Sequence, residues 1–126
     1  MNVTGIDHFV FTVADVSRTC AFYETLGGEV VTFGDGRTAV QFGDQKINLH
    51  PEDNEFDPVS AAPTPGAGDV CLLTETPLEE VQAELREHDI EIVMGPVERT
   101  GAVGPITSVY VRDPDDNLVE IARYDE

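Results

Sequence analysis

Apolar and polar residues alternate from Ile6 to Val13, with Phe9, Phe11 and Val13 interleaved with His8, Val10 and Thr12. A period of two predicts a strand, here one with an oily face and a face that carries a histidine. Asp15 then offers a side-chain oxygen to a helix start. Val16, Cys20, Tyr23 and either Phe22 or Leu26 recur at helical spacing until Gly27 and Gly28 stop the helix. Three short β-branched or apolar runs follow, GEVVTF, RTAVQFG and QKINLH, separated by the turn signals Gly34-Asp35-Gly36 and Gly43-Asp44. Residues 1–50 therefore read strand, helix, strand, strand, strand.

Residues 51–67, PEDNEFDPVSAAPTPGA, are proline-rich and aperiodic, which marks a linker or excursion loop. Beyond them the order repeats. Asp69 to Thr74 reads as a strand, and Thr76-Pro77-Leu78-Glu79 as a helix start with a capping box and proline at the first helical position. Leu78, Val81 and Leu85 form that helix's buried stripe, and His88 caps its C-terminus, where the helix dipole favours it. IEIVMG, a long loop PVERTGAVG, then PITSVYVRD and NLVEIAR complete the second unit. Matching positions lie 61 residues apart at the first strands (His8, Asp69) and 62 at the second (Glu29, Glu91). The expectation is a single α+β domain over 1–126, built of βαβββ modules at 1–50 and 68–126 joined by 51–67. Identity between the halves is low, so an unrelated α+β succession fits the same order. Neither half has apolar surface enough to stand alone, which favours two sheets curving together.

Strand alternation also sorts the candidate chemistry. The face opposite the oily one carries His8, Val10 and Thr12 on the first strand and Asn48 and His50 on the fourth. In module two the same logic puts Asp69, Cys71 and Leu73 on one face, and on the final strand it sets Leu118, Glu120 and Ala122 apart from Val119 and Ile121. His8, His50, Asp69 and Glu120 thus occupy corresponding strands and faces. A mixed nitrogen and oxygen set of this type suits Zn, Mn, Fe, Co or Ni with positions left open for substrate. Each has a plainer reading too, since a strand-start histidine is more often hydrogen-bonded framework, and His50 borders the Pro51 loop. Glu120 is the most telling. It interrupts an apolar run, so its carboxylate must be paired, solvated in a cavity or bound to a metal. Glu120 and His50 are the acid-base candidates. Arg99, in a glycine-bearing loop, is a candidate anchor for an anionic substrate, although the glycines also suit a simple tight turn. Tyr110 on the neighbouring strand either lines the site or packs in it.

Two segments carry a family resemblance. DHFVFTVADVSRTCAFYETLGGEVV (7–31) and VYVRDPDDNLVEI (109–121) resemble the opening and closing signatures of the vicinal oxygen chelate superfamily, which groups glyoxalase I, fosfomycin- and bleomycin-resistance proteins and extradiol dioxygenases. FGDQKINLHPE (42–52), PLEEV (77–81) and RTGAVGPITSVYVRDPDDNLVEI (99–121) are similar to small proteins of the glyoxalase domain-containing protein 5 group and their bacterial virulence-associated relatives. The resemblance covers nearly the whole chain. It implies paired curved sheets forming a cup around one divalent metal, with His8 and Glu120 as first- and last-strand ligands and Asp69 at a position that is usually His or Glu. Asn48 falls where glyoxalase I has a glutamate that moves the substrate proton. An amide cannot act as that base, so Asn48 becomes a substrate-facing candidate and His50 a substitute ligand. Relatives place the cup within a dimer, which implies a homodimer. Two functions follow from the resemblance. One is a metal-dependent lyase or isomerase, or a ring-cleaving dioxygenase with Fe(II), acting on a small molecule with vicinal oxygens. The other is a metal-poor protein that shelters a small molecule, as the bleomycin-resistance members do.

Charge adds a separate constraint. The 25 acidic and 7 basic residues give a net charge of −18, spread from Asp7 to Glu126. Such a field repels phosphate backbones and anionic lipid head groups, so nucleic acid and membrane surfaces are poor partners. No apolar run approaches the ~18–20 residues of a membrane span, and MNVTGIDHF lacks the features of a secretion signal, so the expected location is the cytoplasm. Cys20 and Cys71 read as free thiols of a reducing compartment. Self-repulsion on this scale destabilises the compact state unless salt screens it, which points to a halophilic protein, with an ordinary acidic protein as the alternative. Raising KCl from dilute buffer to about 1 M, where the Debye length shrinks to about 3 Å, is expected to raise the melting temperature followed by circular dichroism. A melting temperature that stays level or falls would remove the halophilic reading.

Overall fold

The computed structural model describes residues 1–53 and 58–125; residues 54–57, inside the 51–67 excursion, and Glu126 lie outside the described residues. The chain divides into two compact units, 1–67 and 68–126, and each repeats one order of elements.

The first unit consists of β1 (His8–Val13), α1 (Val16–Thr25), β2 (Glu29–Phe33), β3 (Arg37–Phe42) and β4 (Gln45–Pro51). Its sheet runs β1-β4-β3-β2, with β1 and β4 parallel and the other pairs antiparallel. Phe11, Val13, Val40, Ile47 and Leu49 form the buried face, and Tyr23 from α1 meets Phe42 edge-on at 6.3 Å. Asp15 caps α1 as expected, its Oδ1 accepting from the Arg18 N–H at 3.0 Å. At the other end Gly27 takes φ 99°, and the Gly28 N–H donates to the Tyr23 carbonyl at 2.9 Å, closing the last turn. The expected stripe of Val16 and Cys20 is only half-buried; the buried positions are Thr19 and Tyr23. Thr19 tolerates this because its hydroxyl donates to the Asp15 carbonyl at 3.0 Å.

The second unit consists of β5 (Asp69–Leu73), α2 (Leu78–Glu87), β6 (Met94–Thr100), β7 (Pro105–Arg112) and β8 (Leu118–Tyr124), and its sheet order, β5-β8-β7-β6, matches the first. Val81 and Leu85 of α2 are buried, as are Val109, Val111, Val119 and Ile121 of the sheet. Two sequence expectations are corrected here. Thr76 makes no capping box: the cap residue is Pro77, whose carbonyl accepts from Glu80 and Val81, and the Thr76 N–H is taken by Thr74 Oγ1 at 3.0 Å. The strand expected at 90–95 instead begins at Met94 and runs through the sequence read as a loop. Pro96 masked it, because proline within a run argues against a strand. It is accommodated because β6 is a sheet edge and the pairing slips between Met94 and Val97, so no ladder bond is asked of it. His88 caps α2 as expected, its ring Nδ1 lying 2.9 Å from the Glu84 carbonyl. No helix among the described residues is long and apolar enough to cross a membrane.

The turn DPDDN between β7 and β8 is tied together by two buried polar side chains. Asp113 Oδ1 accepts from the Asp115 and Asn117 N–H groups at 2.9 and 3.0 Å, and its Oδ2 accepts from Asn117 Nδ2 at 2.8 Å. Asn117 Oδ1 in turn accepts from the Gly68 N–H at 2.6 Å, and the Leu118 N–H donates to the Gly68 carbonyl, so the turn holds the start of β5 beside the start of β8. This motif helped carry the family resemblance, and its role here is framework. Asn117→Ala leaves the Gly68 amide and Asp113 short of partners and is expected to lower unfolding free energy by roughly 2–4 kcal/mol, since a buried group left unsatisfied costs about 1–3 kcal/mol. Urea titration measures it.

Candidate functional site

In the first unit the β1/β4 register pairs His8 with Lys46, Val10 with Asn48 and Thr12 with His50, so all six share the face away from the oily core, as alternation predicted. His8 is on an edge strand and exposed. Its Nδ1–H donates to Asp7 Oδ1 at 2.8 Å, which leaves Nε2 of the neutral ring with its lone pair available. Lys46, its register neighbour, leans across β3 instead, its Nζ standing 3.6 Å from the Phe33 ring centre, so the ammonium is drawn away from His8. His50 is buried, but it is four residues farther along the paired strands, roughly 13 Å at ~3.3 Å per residue, so it does not stand beside His8. It lines a different feature, a cavity of about 360 Å³ with Val10, Thr12, Pro58, Val59 and Ser60. Asn48, 6% exposed, lies between Val10 and Ala39 in register, and its Oδ1 is buried with no hydrogen-bond partner among the described residues.

In the second unit Cys71 pairs with Glu120 and Glu120 with Tyr110, while Asp69 pairs with Leu118. Asp69 and Glu120 are therefore diagonal neighbours on adjacent strands, about 7–8 Å apart at Cα. Glu120 is half-buried, and the Ser108 hydroxyl donates to its Oε2 at 2.6 Å, orienting the carboxylate. Cys71 sits beside both acids, and its thiol is pushed up to about 11 by partial burial, then by the Glu120 and Asp69 charges. It is a protonated thiol at neutral pH and a poor nucleophile. Tyr110 and Arg99 are joined by a hydrogen bond from Arg99 Nε to the Tyr110 hydroxyl at 3.1 Å. Arg99 stands on β6, correcting its expected place in a loop. Within either unit no three described His, Cys, Asp or Glu side chains gather into a metal site.

The comparisons with known proteins give this geometry its family. Residues 5–121 match the model of the Glyoxalase/Bleomycin resistance protein/Dioxygenase superfamily. The chain belongs to that superfamily. It is 49% identical over 126 residues to the glyoxalase domain-containing protein RDO1 of Mycosarcoma maydis, covering all of this chain and 72% of that protein. It is 53% identical over 125 residues to the virulence protein STM3117 of Salmonella typhimurium, covering 98% of this chain and 87% of that one. The crystal structure of STM3117 superposes with a TM-score of 0.96 over 99% of this chain and 100% of that chain. An integron cassette protein from V. cholerae, 47% identical, also reaches 0.96, covering 99% and 98%. Superfamily members commonly bind divalent metals and small molecules.

Three residues that hydrogen-bond the candidate site residues escaped the sequence reading. Ser108 lies at the same parity as Tyr110 and was findable by alternation. Asp7, beside His8, and Met94, against Arg99, are fixed by local side-chain geometry that periodicity does not carry. Asn48→Leu, which replaces an amide whose buried Oδ1 has no partner among the described residues by an apolar side chain of similar branching, is expected to leave stability unchanged or raise it by up to about 3 kcal/mol. A higher urea midpoint would mark Asn48 as kept for a purpose other than folding; a clear loss would show that its amide supports the fold.

Proposed function

We propose that this superfamily member binds a divalent cation, with Asp69 and Glu120 as oxygen donors and histidine nitrogen from His8, and acts on a small molecule with oxygens on adjacent atoms. The observation that carries this is Glu120: a half-buried carboxylate on an interior strand, oriented by Ser108 and diagonal to a second carboxylate. A hydroxyl partner of this sort is what fixes a metal-ligating carboxylate in place. The Asp7–His8 pair supports the reading in the same way, since a carboxylate on Nδ1 leaves Nε2 as the donor nitrogen. When bound, a divalent cation supplies Lewis-acid stabilisation of negative charge developing on substrate oxygen. Glu120 is the residue of this face suited to moving a proton, and Tyr110, its register neighbour, presents a hydroxyl to the same ligand. Lyase, isomerase and dioxygenase chemistries all fit these parts, and the identity of the metal among Zn, Ni, Mn, Co and Fe follows from measurement. The net charge of −18 supports a salt-rich cytoplasm and a small-molecule partner over nucleic acid or membrane. A homodimer is part of the proposal through the family alone.

The second reading, sequestration of a small molecule without metal, has its own support in the 360 Å³ cavity, lined by Val10, Pro58 and Val59 with Thr12, His50 and Ser60 at its polar points. Cavities of this size, mostly apolar with a few placed polar groups, suit small ligands. Metal content separates the two. After incubation with Mn²⁺ or Zn²⁺ and dialysis, wild type is expected to retain metal stoichiometrically. Glu120→Ala, Asp69→Ala and His8→Ala should lose it, Ser108→Ala should weaken affinity roughly 10–100-fold, and His50→Ala should keep it. Retention in both His8→Ala and Glu120→Ala, or none in wild type, would sink the metal reading and leave sequestration.

A further inference from the structure

Arg99 is one of 7 basic residues among 25 acidic ones, yet among the described residues no carboxylate pairs with it. Its side chain is nonetheless held in place. Nε–H donates to the Tyr110 hydroxyl at 3.1 Å, Nη1 to the Glu98 carbonyl at 3.0 Å and Nη2 to Met94 Sδ at 3.5 Å, while the guanidinium carbon stands 5.6 Å from the Tyr110 ring centre. A guanidinium presents five N–H donors in one rigid plane. These contacts engage three of them and leave one on each terminal nitrogen. The Tyr110 hydroxyl, having accepted from Nε, keeps its own proton to donate. Because Tyr110 is the direct register partner of Glu120, the guanidinium, the phenol and the oriented carboxylate belong to one face of the second unit.

In so acidic a chain, an arginine kept for solubility or framework would be expected to settle against one of the acids. Here the acceptors around Arg99 are neutral: a phenol, a carbonyl and a thioether. They fix its direction and leave its charge uncompensated, which is how a cation is prepared for an incoming anion. We propose that Arg99, positioned by Tyr110, is the recognition site for a carboxylate on the small-molecule ligand. The ligand class is then a compact acid whose carboxylate lies a few bonds from a pair of adjacent oxygens. The adjacent oxygens rest on the metal reading above; the carboxylate anchor does not, and it is tested with and without metal.

Malate and 2-hydroxybutanoate share a 2-hydroxy acid end and differ in the distal carboxylate, so calorimetric titration of the two isolates the anchor. Wild type is expected to bind malate at least tenfold more tightly. Arg99→Gln should abolish that preference, Arg99→Lys should restore part of it, since an ammonium keeps the charge and lacks the fork, and Tyr110→Phe should reduce it by freeing the guanidinium. Circular dichroism of each variant establishes that it is folded. Equal binding of the two acids by wild type, or an unchanged preference in folded Arg99→Gln, overturns the anchor. If wild type binds no Mn²⁺ but still prefers malate, and Arg99→Gln loses that preference, the metal reading fails and the anchor stands. If Mn²⁺ binds through Glu120 but the preference is absent, the reverse holds.

Discussion

The pairing of each unit's first strand with its last, β1 with β4 and β5 with β8, is the constraint on which the remaining architecture depends. Parallel neighbours cannot be joined by a tight turn, so the chain must pass through a helix and two further strands before returning. That return places the last strand in the sheet interior, between the first and the third. Candidate site residues on β4 and β8 are consequently flanked by a strand on each side and those on β1 and β5 on one side only, although Thr12 near the end of β1 is also buried. Asn48 and His50 are buried and Glu120 half-buried, whereas His8 and Asp69 are exposed. The interior strands supply groups with fixed directions, and the edge strands supply groups that still have freedom to adjust. In the second unit the pairing is secured by the Asn117 side chain on the Gly68 amide, a link built from a turn rather than from the face it stabilises.

Most of the fold was legible because strands and turns speak locally. Period-two alternation and short β-branched or apolar runs located seven of the eight strands among the described residues, Gly-Asp turn signals located the first unit's hairpins, and the Asp15 cap and Gly27 stop bounded α1. What stayed hidden is informative in physical terms. β6 was masked by Pro96, which is tolerated only because tertiary placement at a sheet edge removes the demand on its missing N–H. Thr76 has the composition of a cap, but Thr74 competes for its amide. Asp113 looked like one more turn acid; it is the one buried acidic residue among those described, and three nearby donors account for that. For the candidate site, alternation placed the residues on the strand faces that the register gives them. It could not tell that Arg99 would reach back to Tyr110, that Ser108 would hold Glu120, or that His50 would stand a full two residue pairs beyond Asn48's neighbours toward the cavity rather than at His8. Those facts depend on side-chain reach across strands, which sequence spacing does not encode.

Acidity and chemistry are separable in this molecule. Asp69 and Glu120 are diagonal neighbours on one face of the second unit, and Asp7 and Asp113 hold a histidine and a turn. The bulk of the remaining acids are exposed. A surface of this kind discourages anionic ligands at long range, and that discouragement weakens as salt shortens the reach of the field. A fixed cation such as Arg99 acts at contact distance, where screening matters least. High salt would thus make the local chemistry of the face more decisive in choosing a ligand.

The lysine count has a practical consequence. Lys46 is the single lysine, and its ammonium is engaged with the Phe33 ring. Among the side chains of this sequence, amine-directed reagents therefore have one place to attach, Lys46. Attachment there takes the ammonium off the Phe33 ring, so the adduct also reports on that cross-strand contact. A fluorophore fixed at Lys46 is thus a defined one-to-one side-chain adduct, placed on the same strand face as His8, Asn48 and His50.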